Sequence, residues 1–318
     1  MGSDATSQSG RSAAASRLAA GFGSLVALCF GLIVLGALVR VHGAGLACPD
    51  WPLCFGQVLP EMNLEVAFEW THRLVAGSVA VFFVALSARA LRRPAMRSVR
   101  PILAIAAMLL AVQILLGALT VWKLLAPWTV TAHLLTGNSF AAALLLAALA
   151  IRDGGAPPRR AALAPSARRA ILLAAALLAL QIALGGLVAS RYAGLACPEW
   201  PTCHEGVWFP TWEGPIGLQL LHRANGYALV ASLAAAAWAA RNAPALQRVT
   251  RLALLLGVVQ VAVGAANVLL AVPMEVTGLH SALAAGLVLS LTWAVREVWL
   301  ARTTGPIARA TPPIAAAA

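Results

Sequence analysis

Gly45-Leu-Ala-Cys-Pro-Asp-Trp-Pro-Leu-Cys54 returns 149 residues later as Gly194-Leu-Ala-Cys-Pro-Glu-Trp-Pro-Thr-Cys203. Three more features keep nearly the same offset. His72-Arg73 matches His222-Arg223 at 150, Gln113-Ile-Leu-Leu-Gly117 matches Gln260-Val-Ala-Val-Gly264 at 147, and His133 matches His280 at 147. Four features at one spacing mark a duplicated unit.

The apolar runs around these motifs say what each unit is. A membrane-spanning helix needs about 20 mostly apolar residues. Leu18 to Val39, Pro101 to Trp122, Leu124 to Ile151, Ala170 to Ser190, Leu252 to Met274 and Val276 to Val295 qualify. Leu74 to Ala88 and Ala224 to Ala240 are short, and reach spanning length only if their helices begin earlier and take in His72-Arg73 and His222-Arg223. The expectation is an all-α integral membrane protein with eight transmembrane helices, arranged as two tandem pseudo-symmetric four-helix bundles. Four helices per unit repeat in the same direction, so the halves are expected to be related by an axis along the membrane normal. The expected divisions are a disordered tail over 1–17, an N-terminal half over 18–151, a cytoplasmic linker over 152–169, a C-terminal half over 170–300 and a tail over 301–318. No cleavable signal peptide is expected, because the first apolar run is of full spanning length.

Composition agrees. The chain is 61% hydrophobic and 11% charged, with a mean hydropathy of +0.83. Soluble domains carry roughly 25% charged residues, so that class is excluded. The net charge of +12 does not point to nucleic acid, because the arginines cluster between apolar runs without interleaved aromatics. With both termini placed inside, the inner segments hold 18 of the 23 Lys/Arg, and the outer ends hold Arg40, Arg73, Lys123, Arg191 and Arg223. Asp4, Asp153 and Glu297 are the only acids inside. The positive-inside rule then predicts a multi-pass protein of the cell membrane with both termini in the cytoplasm.

His72, His133, His222 and His280 fall at the outer ends of the second, fourth, sixth and eighth expected helices. Ionisable residues within spans are costly and usually functional. A lone one reads equally well as a hydrogen-bonded interfacial histidine, but four in a duplicated pattern do not. Zinc would want further ligands, and no suitable third residue repeats in both halves. A heme needs one imidazole on each face, apolar walls, and cations for its propionates. Arg73 and Arg223 follow the first histidine of each pair, and Arg40 and Arg191 recur near the outer ends of the first and fifth helices. Guanidinium groups suit carboxylates, so the residues read as one heme site per half, near the outer face. His42 and His204 do not match each other and read as solvated loop residues. The glutamines of Gln113-x-x-x-Gly117, Gln260-x-x-x-Gly264 and the related Gln181-Ile-Ala-Leu-Gly185 read as interhelical hydrogen-bonding groups.

One position breaks the symmetry. Glu69 lies one helical turn before His72, on the same face, whereas Gln219 lies one turn before His222. A carboxylate beside a heme can relay protons, and an amide cannot. The alternative for Glu69 is an acid favoured by the positive end of the helix dipole. The outer-loop cysteines Cys48 and Cys54, and Cys197 and Cys203, can close structural disulfides or exchange thiols with a redox partner. Cys29, alone in the first helix, reads as packing.

The Cys-Pro-Asp-Trp-Pro loop, Glu69-Trp-Thr-His72-Arg73, the histidines on the fourth, sixth and eighth helices, and the four-plus-four duplication together resemble the heme A synthase family. The resemblance covers essentially residues 18 to 300, and the two cysteine pairs make it similar to the bacterial type. It implies oxidation of the C8 methyl of heme O to a formyl group by successive hydroxylations, making heme A for cytochrome oxidase. It also implies that His72 and His133 hold the substrate heme O, that Glu69 is the catalytic carboxylate, and that His222 and His280 ligate a low-spin heme b. Cys48 and Cys54 match a pair proposed to act in electron or heme transfer. The implied partners are heme O, the heme O-producing farnesyltransferase, an electron donor (a quinol or a thiol-redox protein) and the lipid membrane, with a homo-oligomer left open. Rival readings are a di-heme electron-transfer cytochrome linked to quinol, a heme O-binding chaperone that does not oxidise, and a transporter.

Overall fold

The computed structural model describes residues 2–155 and 162–303, with side chains from Ala15 to Gly155 and from Ala162 to Ala301. Within them lie eight long α-helices: α1 (Gly2–Val41), α2 (Leu64–Leu91), α3 (Arg100–Trp122), α4 (Pro127–Arg152), α5 (Pro165–Ser190), α6 (Gly214–Ala239), α7 (Pro244–Leu269) and α8 (Met274–Thr303). Ala and Leu dominate them and carry little conformational penalty in a helix. Proline stands at the first turn of α3 through α7, where its missing N–H leaves no bond unmade. Asn63 caps α2 by accepting from the Val66 amide at 2.8 Å.

Seven of these helices are long and apolar enough to cross a membrane, so the chain is a multi-pass membrane protein. The eighth, α6, is 26 residues long but carries Gln219, His222, Arg223 and Asn225, which lower its hydropathy. As expected, α2 and α6 begin early enough to take in their His-Arg pairs. The segment expected as a tail over 1–17 is continuous with α1, which is helical from Gly2. The linker expected over 152–169 lies partly outside the described residues, as does the C-terminal tail from 304 onward.

Two hairpin turns differ from the apolar runs that were expected to be helix. Leu124 and Leu125 have φ of 49° and 59°, and Ala271 and Val272 have φ of 58° and 62°. Each left-handed pair ends one helix and is closed by a long-reach bond, Leu125 N to Thr120 O at 2.8 Å and Val272 N to Asn267 O at 2.7 Å. So α4 starts at Pro127 rather than Leu124, and α7 ends at Leu269 rather than Met274. The turn residues are apolar, so hydropathy alone does not mark them.

One buried apolar cluster is shared by α1 to α4, centred on Phe22, Phe83, Phe140 and Leu144. Another is shared by α5 to α8, centred on Ile171, Leu233, Leu246 and Leu287. The two sets meet where α1 packs on α8 and where α4 packs on α5 and α8. At one end of that seam Arg296 of α8 pairs with Asp153 at the end of α4. The sets are not packed identically: α6 rests on α7, whereas α2 barely touches α3.

Candidate functional site

The four histidines are built alike. Each stands near the start of an even-numbered helix and lays its ring against a glycine of the helix before it. A Cβ added to Gly36 of α1 would meet His72 Cε1 at 3.1 Å, one on Gly117 of α3 would meet His133 Cε1 at 3.3 Å, and Gly185 of α5 and Gly264 of α7 would meet His222 and His280 Cε1 at 3.2 Å each. Only glycine lets the ring edge come this close to the neighbouring backbone. His72 and His133 are near enough to interact electrostatically, as are His222 and His280, so the pairs form within halves. Nδ1 of His72, His133 and His280 is buried with no hydrogen-bond partner.

Glutamines one turn before three of the glycines complete the pattern. Gln113 Nε2 lies 3.3 Å from His133 Nε2. Gln181 Nε2 lies 3.2 Å from His222 Nδ1 and donates to the His222 carbonyl at 3.1 Å. Asn225 in turn donates to Gln181 Oε1 at 2.7 Å. Gln260 donates to the His280 carbonyl at 3.0 Å. The glutamines thus bond across helices as expected, and their partners are the histidines themselves. On α1 the equivalent position is Leu32, and no hydrogen bond reaches the His72 ring among the described residues.

Glu69 and Gln219 are both buried, 7% and 4% exposed, but are held differently. Arg73 Nε donates to Glu69 Oε1 at 2.7 Å. Gln219 instead donates to the Gly194 carbonyl at 3.2 Å, and its Oε1 has no partner. The Arg73 guanidinium continues into the loop above, donating to the carbonyls of Asp50 at 2.6 Å, Leu53 at 2.5 Å and Cys48 at 3.1 Å. Arg223 does the same to Cys197 at 2.7 Å, Glu199 at 2.9 Å and Thr202 at 2.9 Å. Arg73 and Arg223, two of the four arginines expected to meet propionates, thus clamp the cysteine loops. Arg40 is half-buried at the end of α1 and Arg191 is exposed at the end of α5. Neither guanidinium donates a hydrogen bond among the described residues.

Both loops are closed by disulfides, Cys48–Cys54 and Cys197–Cys203, and all four cysteines are buried. An acid inside each loop, which sequence reasoning did not single out, ties it further. Asp50 accepts from the Phe55 and Gly56 amides at 2.7 Å each. Glu199 accepts from the Glu205 and Gly206 amides and from the Thr202 hydroxyl, at 2.8, 3.1 and 2.7 Å. These bonds hold the carboxyls below their ordinary range, led by the Gly56 amide for Asp50 and by the Thr202 hydroxyl for Glu199. His42 and His204 depart from the solvated reading. His42 stacks on Phe68 with centroids 4.1 Å apart and bonds the Leu38 carbonyl, and His204 bonds the Ala196 carbonyl at 2.9 Å. Both loops fold back onto their helices, which half-buries the rings. Cys29 is buried and unbridged.

Among the described residues no group of three or more His, Cys, Asp or Glu could hold a bare metal ion. The site offers pairs of imidazoles instead. The chain is similar to curated proteins over most of its length. The chain is 28% identical to the heme A synthase of Shewanella oneidensis, over 84% of this chain and 92% of that one. It is 30% identical to the heme A synthase of Halalkalibacterium halodurans, over 68% of this chain and 74% of that one. A shorter stretch, 37% of this chain, is 35% identical to 27% of the protoheme IX farnesyltransferase of Halobacterium salinarum. The sequence profile of the family described as cytochrome oxidase assembly protein matches residues 22–292. That match runs through both histidine pairs and into the last helix, and the chain belongs to the COX15-CtaA family of cytochrome oxidase assembly proteins.

Proposed function

We propose that this chain is a heme A synthase, an oxidoreductase that converts the C8 methyl of heme O to a formyl group by successive hydroxylations. The observation that carries the reading is four histidines, each seated on a glycine and paired within a half, in a chain whose relatives bear that name. Its finer parts are our own assignment. The eight helices form two tandem four-helix bundles and both termini lie in the cytoplasm, as the arginine distribution supports. The N-terminal half takes heme O between His72 and His133, and the C-terminal half keeps a heme b between His222 and His280.

The residues fit a heme. Buried imidazoles, three of the four with an unpartnered Nδ1, are a fit donor set for iron, and the glycine cradles fix the ring edges. A bound heme would supply iron to activate dioxygen. This chain's own residues do the rest. Arg73 holds Glu69 through Oε1, and Oε2 carries no hydrogen bond among the described residues. That oxygen can take and return a proton during hydroxylation. The clamped Cys48–Cys54 loop lies directly above this pair and limits water at the site. Arg40 and Arg191, whose guanidinium groups donate no hydrogen bond among the described residues, are the arginines we assign first to propionates. The electron donor is a quinol or a thiol-redox protein, and the farnesyltransferase that makes heme O is the natural supplier. The partial likeness to a protein of that name supports such a pairing.

The test is heme extraction and chromatography after expression in a host that makes heme O. Heme A or its hydroxylated precursor beside heme b is the expected result. Heme b alone, with heme O plentiful in the membrane, would favour an electron-transfer cytochrome.

A further inference from the structure

We propose that His72 is the exchangeable ligand of the N-terminal site, and that His133, His222 and His280 are the fixed ones. The inference rests on the reading of His72 and His133 as a heme pair. Two independent features of the structure single out His72.

The first is the missing glutamine. Three of the four histidines receive a glutamine from the preceding helix, placed one turn before the glycine that cradles the ring. Gln113 reaches the His133 ring, Gln181 the His222 ring and carbonyl, and Gln260 the His280 carbonyl. Gly36 cradles His72 in the same way, but the residue one turn before it is Leu32. A leucine offers no hydrogen bond, so no glutamine holds either the ring or the backbone carbonyl of His72, whereas the His280 ring, also without a bond of its own, sits on a residue whose carbonyl Gln260 ties. One hydrogen bond is worth about a factor of ten in an equilibrium.

The second is the packing of the helix that carries His72. α2 leans on α1 and barely meets α3, whereas its counterpart α6 packs on both α5 and α7. Withdrawing His72 therefore disturbs few contacts, while withdrawing His222 would disturb a packed helix. The face that His72 vacates lies beside Glu69, one turn earlier on α2, so the open coordination position and the proton-handling carboxylate fall on the same side. In the C-terminal half the same place holds Gln219, next to a fixed histidine. The exchange moves no electrons: the bond from iron to the His72 nitrogen breaks, and a neutral diatomic ligand takes its place.

Carbon monoxide is the probe. The full-length chain is purified from a heme O-producing host, reduced under argon, and titrated with carbon monoxide while optical spectra are recorded. Expected is binding at one of two hemes, the other staying low-spin. Leu32→Gln, which gives His72 the missing partner, should raise the half-saturating concentration about ten-fold. Gln181→Leu, the reverse exchange, should make the second heme reactive. His72→Ala should keep or tighten carbon monoxide binding, because His133 remains as the opposite ligand. Equal binding at both hemes, or an unchanged titration in Leu32→Gln with its low-spin spectrum intact, overturns the inference while the two-heme reading stands. Loss of binding in His72→Ala together with tighter binding in His133→Ala also overturns it, by making His133 the exchangeable ligand. A chain that holds only one heme overturns both.

Discussion

Arg73 and Arg223 clamp their loops through the same three kinds of carbonyl, yet only Arg73 also holds a carboxylate. Charge-assisted hydrogen bonds of this sort contribute roughly 1.5–3 kcal/mol each. Arg73→Gln is therefore expected to release both the loop and Glu69, and to cut heme A output by at least about ten-fold. Arg223→Gln is expected to loosen its loop with a smaller effect on output. Chromatography of extracted hemes measures the first effect, and hydrogen exchange at each loop the second. Asp50 and Glu199 add a pH dependence. Their carboxyls are held low by amide and hydroxyl donors, so their contribution to loop order is present above the unfolded carboxylate value, roughly pH 4. It is lost as pH falls through the depressed folded value. Exchange protection at the Phe55, Gly56, Glu205 and Gly206 amides should hold at neutral pH and fall in acid, and Asp50→Ala should remove it at Phe55 and Gly56 at every pH.

Helix packing sets the histidine geometry through glycines placed one per odd-numbered helix. A methyl on Gly264 would stand 3.2 Å from His280 Cε1 and one on Gly117 3.3 Å from His133 Cε1, too close without the ring giving way. Such overpacking costs about 1–3 kcal/mol. Gly264→Ala is expected to shift the absorption band of the resident heme, and Gly117→Ala to leave that band unchanged and weaken heme O retention. Optical spectra of the purified variants decide it. The glycines after Gln113, Gln181 and Gln260 were legible in the sequence as a repeated motif, and the bonding role of the glutamines with them. What the glycines face was not, because a ring on another helix leaves no mark at fixed spacing. Gly36 went unnoticed for a related reason, since its motif lacks the glutamine. The hairpin turns at Leu124–Leu125 and Ala271–Val272 hid in apolar runs because their backbone bonds close within the helix ends and leave no polar side chain to mark them.

For the molecule as a whole, duplication and hydropathy together already carried the helix order, the place of the histidines on the even-numbered helices and the Glu69–Gln219 difference. They could not carry the unequal packing of α2 and α6, which follows from side chains meeting across helices. Nor could they foresee that Arg73 and Arg223 would turn to loop carbonyls, since guanidinium chemistry suits carbonyl and propionate oxygens alike. The seam between halves adds a further expectation. Arg296 and Asp153 pair across it with side chains only 10% and 17% exposed, and removing one partner of a largely buried pair leaves the other charge uncompensated. Arg296→Ala should lower thermal stability, by about 1–3 kcal/mol after allowing for partial exposure, without changing either heme spectrum. A melting curve followed at the heme band tests this.

The central claim is that the two halves divide the work, with the carboxylate of the first performing chemistry that the amide of the second cannot. The most direct measurement is chromatography of hemes extracted from Glu69→Gln and Gln219→Glu, each expressed with heme O. The account predicts that Glu69→Gln retains heme b and heme O but makes no heme A, while Gln219→Glu makes heme A as the unaltered chain does. Normal heme A output from Glu69→Gln would contradict it.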